Sequence, residues 1–247
     1  MKILVCISRT PDTTTKIAFI DNNTKFETNG VQWIINPYDE WYSLIKAIEI
    51  KEANLSAVIH LVHVGLQENE PIIRKALALG GDEAFRIDTE ATDAHSIAFQ
   101  IASMAKDQAY DIILTGKETI DHNNGAIGAM IAAMLDINCI GLATKLELET
   151  NLAVVTREVD GGEEILESTF PLLISCQKGM ADPRIPNMRG IMAARTKPLN
   201  ILEALKSDAF TETISFSMPS KKAGITMIPS DQPELLVKLL REEAKAI

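Results

Sequence analysis

The sequence lacks the features that mark several large classes of protein. Its three cysteines, Cys6, Cys139 and Cys176, are scattered and odd in number, so no disulfide framework is predicted. No CxxC motif or Cys/His cluster is present to hold a metal. No apolar run approaches the ~18 residues of a membrane helix, so we do not expect an integral membrane protein. The formal net charge of −10 argues against a protein that binds nucleic acid or anionic membranes.

The N-terminus also lacks the small-residue cleavage site of a secretory signal peptide. The segment MKILVCIS leads directly into a predicted strand. We therefore expect a mature chain that starts at Met1 in the cytoplasm of a bacterium. The length of 247 residues and the apolar fraction of 46% predict a globular protein with a large core.

Apolar runs rich in β-branched residues alternate with amphipathic segments in the first half of the chain. Strands are predicted at 2–8, 57–64, 84–87 and 111–115, and an irregular hairpin at 17–26. Helices are predicted to start at Asn36-Pro37, at Pro71, at Thr92 or Asp93, and at Ala126. This order predicts an α/β fold with a doubly wound, mostly parallel sheet that is covered by helices on both faces.

The start of the first helix is predicted in more detail. Asn36 is expected to cap it, with Pro37 at the first helical position and acidic residues in the first turn. The apolar residues that follow have helical spacing and predict one buried face: Trp41, Leu44, Ile45 and Ile48.

The segment 115–128 follows a predicted buried strand and leads into a helix. Gly116, Gly125 and Gly128 let the backbone approach a ligand, and free N–H groups at such a turn can bind a phosphate. The segment is not a Walker A motif, because Gly116-Lys117 is not followed by Ser or Thr, and it has no GxGxxG. On composition alone, both an ordinary turn and a nucleotide site remain open.

The stretch 155–197 combines a predicted hairpin and strand with a long basic loop. Asp160-Gly161-Gly162 is a turn sequence, and Pro171 precedes the buried run 172–174. The spacing in this stretch is Val155-x-Arg157-x-x-Asp160-Gly161-Gly162-x-Glu164-x-Leu166-x-x-x-x-Pro171-x-Leu173-Ile174-Ser175. It resembles the signature of the electron-transfer flavoprotein beta subunit family, and the resemblance extends over essentially the whole chain.

The resemblance implies an electron-carrier subunit and not a self-sufficient enzyme. Members pair with an alpha subunit that holds most of the redox FAD, and the heterodimer takes electrons from flavin dehydrogenases, such as acyl-CoA dehydrogenases. It passes them to a membrane quinone oxidoreductase or another acceptor. The implied fold is an adenine-nucleotide alpha hydrolase-like core with a β-hairpin extension and a C-terminal helical arm. No catalytic residue is predicted, and His60, His63 and His95 are expected to be structural.

The resemblance also implies a buried, structural AMP in this subunit. The positions that match the family's contacts are Cys6, Asn36, Pro37, Tyr38, Asp39, Val64, Gly116, Lys117, Glu118, Thr119, Ile120, Asp121, His122, Asn123, Asn124, Gly125, Ala126 and Ile127. The segment 122–127 departs from the family's usual residues and offers a phosphate fewer side-chain partners. Some members hold a second FAD at this place and oxidise NADH, which is the first alternative.

The loop 177–194 resembles the family's recognition loop for partner dehydrogenases. That loop places an apolar side chain, usually leucine, in a pocket of the partner, and Met180 is the matching residue. The similarity continues through Ala181, Asp182, Pro183 and Arg184, and Ile185 stands where the family has tyrosine. Met180→Asp is expected to weaken coupling to the dehydrogenase without unfolding the chain.

The chain is expected to consist of a core at 1–197 and a C-terminal arm at 198–247 that packs on the partner subunit. The arm is predicted to begin with a short helix or extended segment at 198–205 and to end with an amphipathic helix at 229–247. An arm that folds back on its own core is the other possibility. A second alternative for the whole chain is a free-standing adenine-nucleotide-binding module like the universal stress proteins.

Overall fold

The computed structural model describes residues 1–220 and 224–247, which form an α/β fold. Its strands are β1 (Lys2–Cys6), β2 (Arg9–Pro11), β3 (Phe19–Ile20), β4 (Lys25–Phe26), β5 (Trp33–Ile35), β6 (Val58–Val64), β7 (Glu83–Asp88), β8 (Ile112–Gly116), β9 (Asn138–Leu148), β10 (Leu152–Val159), β11 (Gly162–Thr169), β12 (Leu172–Cys176) and β13 (Leu199–Glu203). Its helices are α1 (Asp39–Ala53), α2 (Glu70–Leu79), α3 (Ala94–Ala105), α4 (Ile127–Leu135), α5 (Met188–Ala194) and α6 (Pro233–Glu242). No helix in the described ranges is long and apolar enough to cross a membrane.

Nine strands form one central sheet in the order β11-β10-β9-β12-β8-β1-β6-β7-β13. The strands from β9 to β13 in this order run parallel to one another, whereas β10 and β11 add an antiparallel hairpin at one edge. The predicted doubly wound, mostly parallel sheet with a hairpin extension is therefore confirmed. Strands β3 and β4 form the small predicted hairpin.

The central strands are largely apolar because helices cover both faces of the sheet. Side chains that alternate along β1 enter two separate cores: Ile3 and Val5 pack with α1, α2 and α5, whereas Leu4 and Cys6 pack with α3 and α4. This double burial fixes the carboxyl ends of the parallel strands in one row at one edge of the sheet.

Helix α1 begins later than the sequence predicts. Asn36 and Pro37 precede it, Tyr38 is its N-cap residue with no side-chain cap, and the first helical residue is Asp39. The predicted cap was wrong because the Asn36 side chain bonds to a distant loop instead of the helix. The predicted buried face is largely confirmed, since Leu44 and Ile45 are fully buried and Trp41 is half-buried.

The chain stays in the sheet beyond Lys197. The segment expected to be a short helix or an extended arm contains β13, which pairs in parallel with β7. The Lys197 ammonium donates to the carbonyls of Leu77 and Gly81 at 2.8 and 2.6 Å, which fixes the start of this strand. The sheet therefore reaches Glu203, six residues past the predicted boundary of the core.

The first part of the arm packs on its own chain. Gln100 bonds to both the N–H and the carbonyl of Leu205, and Asp93 accepts bonds from the N–H groups of Phe210 and Thr211. The Phe210 ring stacks on His95 at 3.7 Å between centroids. These contacts show that the first part of the arm, near residues 205–211, folds back on its own core, which was the alternative to packing on a partner.

The last part of the arm is different. Helix α6 lies within the predicted 229–247 helix, and its Leu235 and Leu236 side chains are exposed. Residues 221–223 of the predicted arm lie outside the described residues. Packing of α6 on a partner subunit stays a prediction.

Candidate functional site

Three of the predicted site residues are the last residues of three adjacent parallel strands. Cys6 ends β1, Val64 ends β6 and Gly116 ends β8. Strand β1 lies between β6 and β8, so the chain order reverses at β1. Open α/β sheets bind their ligands in the crevice that such a reversal forms at the carboxyl ends of the strands. We call this place, between the ends of β1 and β8, the crevice.

Asn36 connects two of the predicted segments across the crevice. Its side chain is fully buried, and its amide donates to the Glu118 carbonyl at 2.9 Å. Its carboxamide oxygen accepts from the Ile120 N–H at 3.0 Å. One side chain thereby fixes the turn before α1 to the loop after β8. The turn itself is unusual, since the exposed Tyr38 has a φ of 65°, a conformation that bulky residues rarely adopt.

Gly116 lets α1 approach the end of β8. A Cβ atom at this position would lie 2.7 Å from Glu40 Cγ and 3.0 Å from the Glu40 backbone nitrogen. Any larger residue would therefore push the helix start away from the strand. The close approach explains why a glycine follows the buried strand and why acidic residues of α1 lie at the crevice.

A cavity of about 310 Å³ opens beside the loop that follows β8. Its lining comprises Lys117, Glu118, Asn123, Asn124, Gly125, Gly128, Ala129, Cys139, Gly141, Leu142 and Ser175. The first five belong to the predicted set. The last four come from β9 and β12, which the sequence does not connect with the loop. Sequence reasoning missed them because only the sheet order brings those strands beside β8.

The other predicted residues do not line this cavity. Val64 lines a second cavity of about 250 Å³ together with Thr89, Glu90, Thr92, Ser96, Gln100, Leu205, Lys206 and Ser207. Neither cavity is lined by Cys6, by the 36–39 turn, or by Thr119, Ile120, Asp121, His122, Ala126 and Ile127. The structure thus places all the predicted segments at one edge of the sheet. They do not line a single cavity: some line the first cavity, Val64 lines the second, and Asn36 makes buried contacts outside both.

The residues around the first cavity fit the anionic group of a nucleotide. Helix α4 starts at the cavity, and Ala126 provides no side-chain cap for its free N–H groups. Thr115 Oγ1 is buried without a hydrogen-bond partner among the described residues. It lies 2.8 Å from the place that a Cβ of Gly128 would occupy, against the first turn of α4. The uncapped start of α4 and the Lys117 side chain therefore both lie at this cavity.

The carboxylates at the crevice are unusually hard to ionise. Burial raises the pKa of Glu40 to about 8, against the opposing effect of its bonds to Ser8, and the charges of Asp121 and Asp39 raise it further. Burial also raises the pKa of Asp39, although the Lys117 charge opposes the shift. Nearby negative charge and loss of water act in the same direction on these acids. The crevice thus carries less negative charge near neutral pH than its composition indicates.

His63 lies close to the crevice but has the contacts of a structural residue. Its Nδ1 lies 2.9 Å from the Ile7 carbonyl, and its Nε2 lies 2.8 Å from the amide of Asn69. Burial lowers its pKa to about 4, so the ring is neutral at physiological pH. His60 is also buried and lies 2.9 Å from the Tyr110 hydroxyl.

The structure corrects one part of the predicted recognition loop. Met180 is only 3% exposed and packs in the core beside α1, so its side chain is not presented to a partner. The preceding Gly179, at a φ of 108°, turns the chain so that Met180 points inward. Asp182, Pro183 and Arg184 are exposed, Ala181 is half-buried, and Arg184 pairs with Glu52 at 2.8 Å. The most exposed apolar side chains of the loop are Ile185, at 91%, and Met188, at 73%.

Comparison with known proteins gives this site its context. The family model described as "Electron transfer flavoprotein domain" matches residues 23–207, which include the loop after β8 and the stretch 155–175 that carries the resemblance. The chain belongs to the electron transfer flavoprotein family. The predicted resemblance is therefore confirmed.

Three relatives of the chain are similar over nearly their full lengths. A Bacillus subtilis protein is 39% identical over 261 residues and covers 100% of both chains. A Syntrophomonas wolfei protein is 34% identical, with 99% of this chain and 96% of the relative covered. Both are named "Electron transfer flavoprotein subunit beta". A mitochondrial beta subunit of Arabidopsis thaliana is 31% identical and covers 100% of both chains.

Proposed function

We propose that the chain is the beta subunit of a heterodimeric electron transfer flavoprotein. With an alpha subunit it carries electrons from flavin dehydrogenases, such as acyl-CoA dehydrogenases, to a quinone oxidoreductase or another acceptor. The observation that carries the proposal is the full-length similarity to relatives named as beta subunits. The chain is a carrier subunit and not an enzyme by itself, and its setting is the bacterial cytoplasm.

Two nucleotides belong to this proposal. The alpha subunit holds most of the FAD, which supplies the electron-transfer chemistry when it is bound. This chain holds an AMP at the crevice, with the N–H groups in the first turn of α4 and the Lys117 ammonium toward its phosphate. The uncapped start of α4 and the cavity of about 310 Å³ beside the loop after β8 support this assignment. The AMP has a structural role because it fills the crevice between segments that the Asn36 side chain connects.

Two exposed apolar regions support the proposed partners. In the arm, large apolar side chains stay exposed on both sides of the undescribed residues, among them Ile214, Ile225 and Leu236. We assign this region to the alpha subunit, because an exposed apolar segment is stabilised when a partner covers it. The loop with Ile185 and Met188 is assigned to the flavin dehydrogenase. Arg184 holds that loop to α1 through its ion pair with Glu52.

Transfer of electrons through the complex tests this function. The chain is co-expressed with the alpha subunit encoded by the same organism, and the purified complex is mixed with a reduced acyl-CoA dehydrogenase. We expect the flavin absorbance of the complex to fall as it is reduced, and the chain without its partner to give no such signal. A stable, colourless monomer that binds adenine nucleotide and does not pair with the alpha subunit would contradict the proposal. That outcome would favour a free-standing nucleotide-binding module.

A further inference from the structure

A buried carboxyl group lies at the crevice outside the predicted set of contacts. Glu40, in the first turn of α1, is 7% exposed and packs against Gly116 at the end of β8. Both of its oxygens contact Ser8, which follows β1: the Ser8 N–H donates to Oε2 at 2.6 Å, and the Ser8 hydroxyl lies 2.7 Å from Oε1. Ser8 itself is partly exposed and lies two residues after the end of β1, which borders the crevice. Glu40 is thus covered by one residue that remains accessible to a ligand.

The titratable groups near Glu40 belong to three different elements. Asp39 lies on its own helix, and the thiol of Cys6 lies at the end of β1. Asp121 lies on the loop after β8, where Lys117 and Glu118 form an ion pair at 3.1 Å. Acidic neighbours and burial therefore both favour the protonated form of Glu40. With a pKa of about 8, Glu40 is mostly neutral at pH 7 and mostly ionised at pH 9.

Protonation of Glu40 changes the hydrogen bond that the Ser8 hydroxyl can donate. An ionised carboxylate only accepts hydrogen bonds. When Glu40 is ionised, the Ser8 hydroxyl therefore donates its hydrogen to Glu40 and cannot donate it to a ligand. The Ser8 N–H requires an acceptor at Oε2 in both states, so the proton of neutral Glu40 resides on Oε1. There it donates to the Ser8 oxygen, and the hydroxyl hydrogen of Ser8 becomes free to rotate toward another acceptor.

We propose that Glu40 is a positioning residue for the nucleotide: while protonated it makes the Ser8 hydroxyl a hydrogen-bond donor to the bound nucleotide, and when ionised it withdraws that donor. Ionised Glu40 also adds a negative charge beside an anionic ligand, which acts in the same direction. The inference rests on the proposed AMP site and adds to it two residues and a dependence on pH. Nucleotide affinity is expected to be high below pH 8 and to fall above it.

The test is the dissociation constant of AMP between pH 7 and 9.5, measured by calorimetry on the complex of the full chain with its alpha subunit after removal of bound AMP. The charge of AMP is constant over this range, because the second pKa of a phosphate monoester is near 6. We expect the wild-type affinity to fall about tenfold to a hundredfold, the loss of one hydrogen bond to a charged ligand.

Two variants separate the effect of Glu40 ionisation from the effect of the Ser8 hydroxyl donor. Glu40→Gln keeps an acceptor for the Ser8 N–H and a donor for the Ser8 oxygen but cannot ionise, so it should bind AMP well at every pH. Ser8→Ala removes the donor, so it should bind about tenfold more weakly at pH 7 and show a smaller pH dependence. Glu149→Gln, an exposed acid at the end of β9, is the control for the loss of one negative charge and should keep the wild-type profile.

The possible outcomes are distinct. Wild-type AMP binding that does not change with pH overturns this inference and leaves the AMP site intact. A Ser8→Ala variant whose AMP affinity at pH 7 and pH dependence equal those of the wild type also overturns the inference and leaves the AMP site intact. This test can be made even if Glu40→Gln fails to fold. Absence of AMP binding at pH 7 contradicts the proposed AMP site and, with it, this inference.

Discussion

Replacing Met180 by aspartate is expected to destabilise the fold strongly. The side chain is 3% exposed and packs among apolar residues in the larger core. Loss of the thioether packing and burial of a charge together should cost on the order of 4 kcal/mol of unfolding free energy. This is a large fraction of the roughly 5–15 kcal/mol that stabilises a typical domain.

Ile185→Asp is the matched control, because the same charge is placed on a side chain that is 91% exposed in the same loop. Its unfolding free energy should change by only about 0.5 kcal/mol. Urea denaturation of both variants measures this difference. If the loop contacts the dehydrogenase as proposed, Ile185→Asp should also slow electron transfer to the complex. A Met180→Asp variant as stable as the wild type would show that this side chain leaves the core.

Asn36→Ala is expected to damage stability and nucleotide binding together. The variant leaves the partly buried carbonyl of Glu118 and N–H of Ile120 without their partner. An unpaired buried group costs about 1–3 kcal/mol, and because these two are only partly buried the unfolding free energy should fall by roughly 2–4 kcal/mol in total. The loop after β8 also loses its connection to the turn before α1, so AMP affinity should fall by about tenfold or more.

Two controls make the Asn36→Ala result specific. Asn36→Asp retains an acceptor for the Ile120 N–H but buries a carboxylate against the Glu118 carbonyl, so its effects should be at least as large as those of alanine. Asn151→Ala changes an exposed asparagine in the turn between β9 and β10 and should be neutral. Hydrogen exchange of the 117–127 loop, together with AMP calorimetry, measures the effect. Unchanged AMP affinity in a destabilised Asn36→Ala variant would mean that Asn36 acts on folding alone.

The fold could be predicted where local pattern and tertiary contacts agree. The strands β1, β6 and β8 are mostly apolar because both faces of the sheet are covered, and that pattern is visible in the sequence. The hairpin of β10 and β11 follows from its Asp160-Gly161 turn. Asp93 was one of two predicted caps, and its side chain accepts from the Ser96 N–H at 2.8 Å.

The prediction was wrong where a distant partner decided the role of a side chain. Asn36 before Pro37 has the sequence of a helix cap, but the loop after β8 offers it two stronger contacts. Met180 lies in a polar loop, but Gly179 turns it into the core. Strand β13 is stabilised by contacts of Arg74 and Lys197 with backbone carbonyls more than 100 residues away in the chain. Local sequence contains no signal for such pairings.

The candidate site was predictable to the extent that it follows the strand ends. Cys6, Val64 and Gly116 meet at one edge because parallel strands end together. Glu40 and Ser8 were missed because a glutamate in a first helical turn usually faces water, and only the approach of Gly116 buries this one. Gly141 and Ser175 were missed because the order of β9 and β12 in the sheet cannot be deduced from their spacing in the chain.

The nucleotide content of the purified complex tests the central claim most directly. The chain is purified with its alpha subunit, the ligands are released with acid, and FAD and AMP are separated and counted per heterodimer. The account predicts one FAD and one AMP. Two FAD and no AMP would contradict it, because the crevice would then hold a second flavin, as in the NADH-oxidising members of the family.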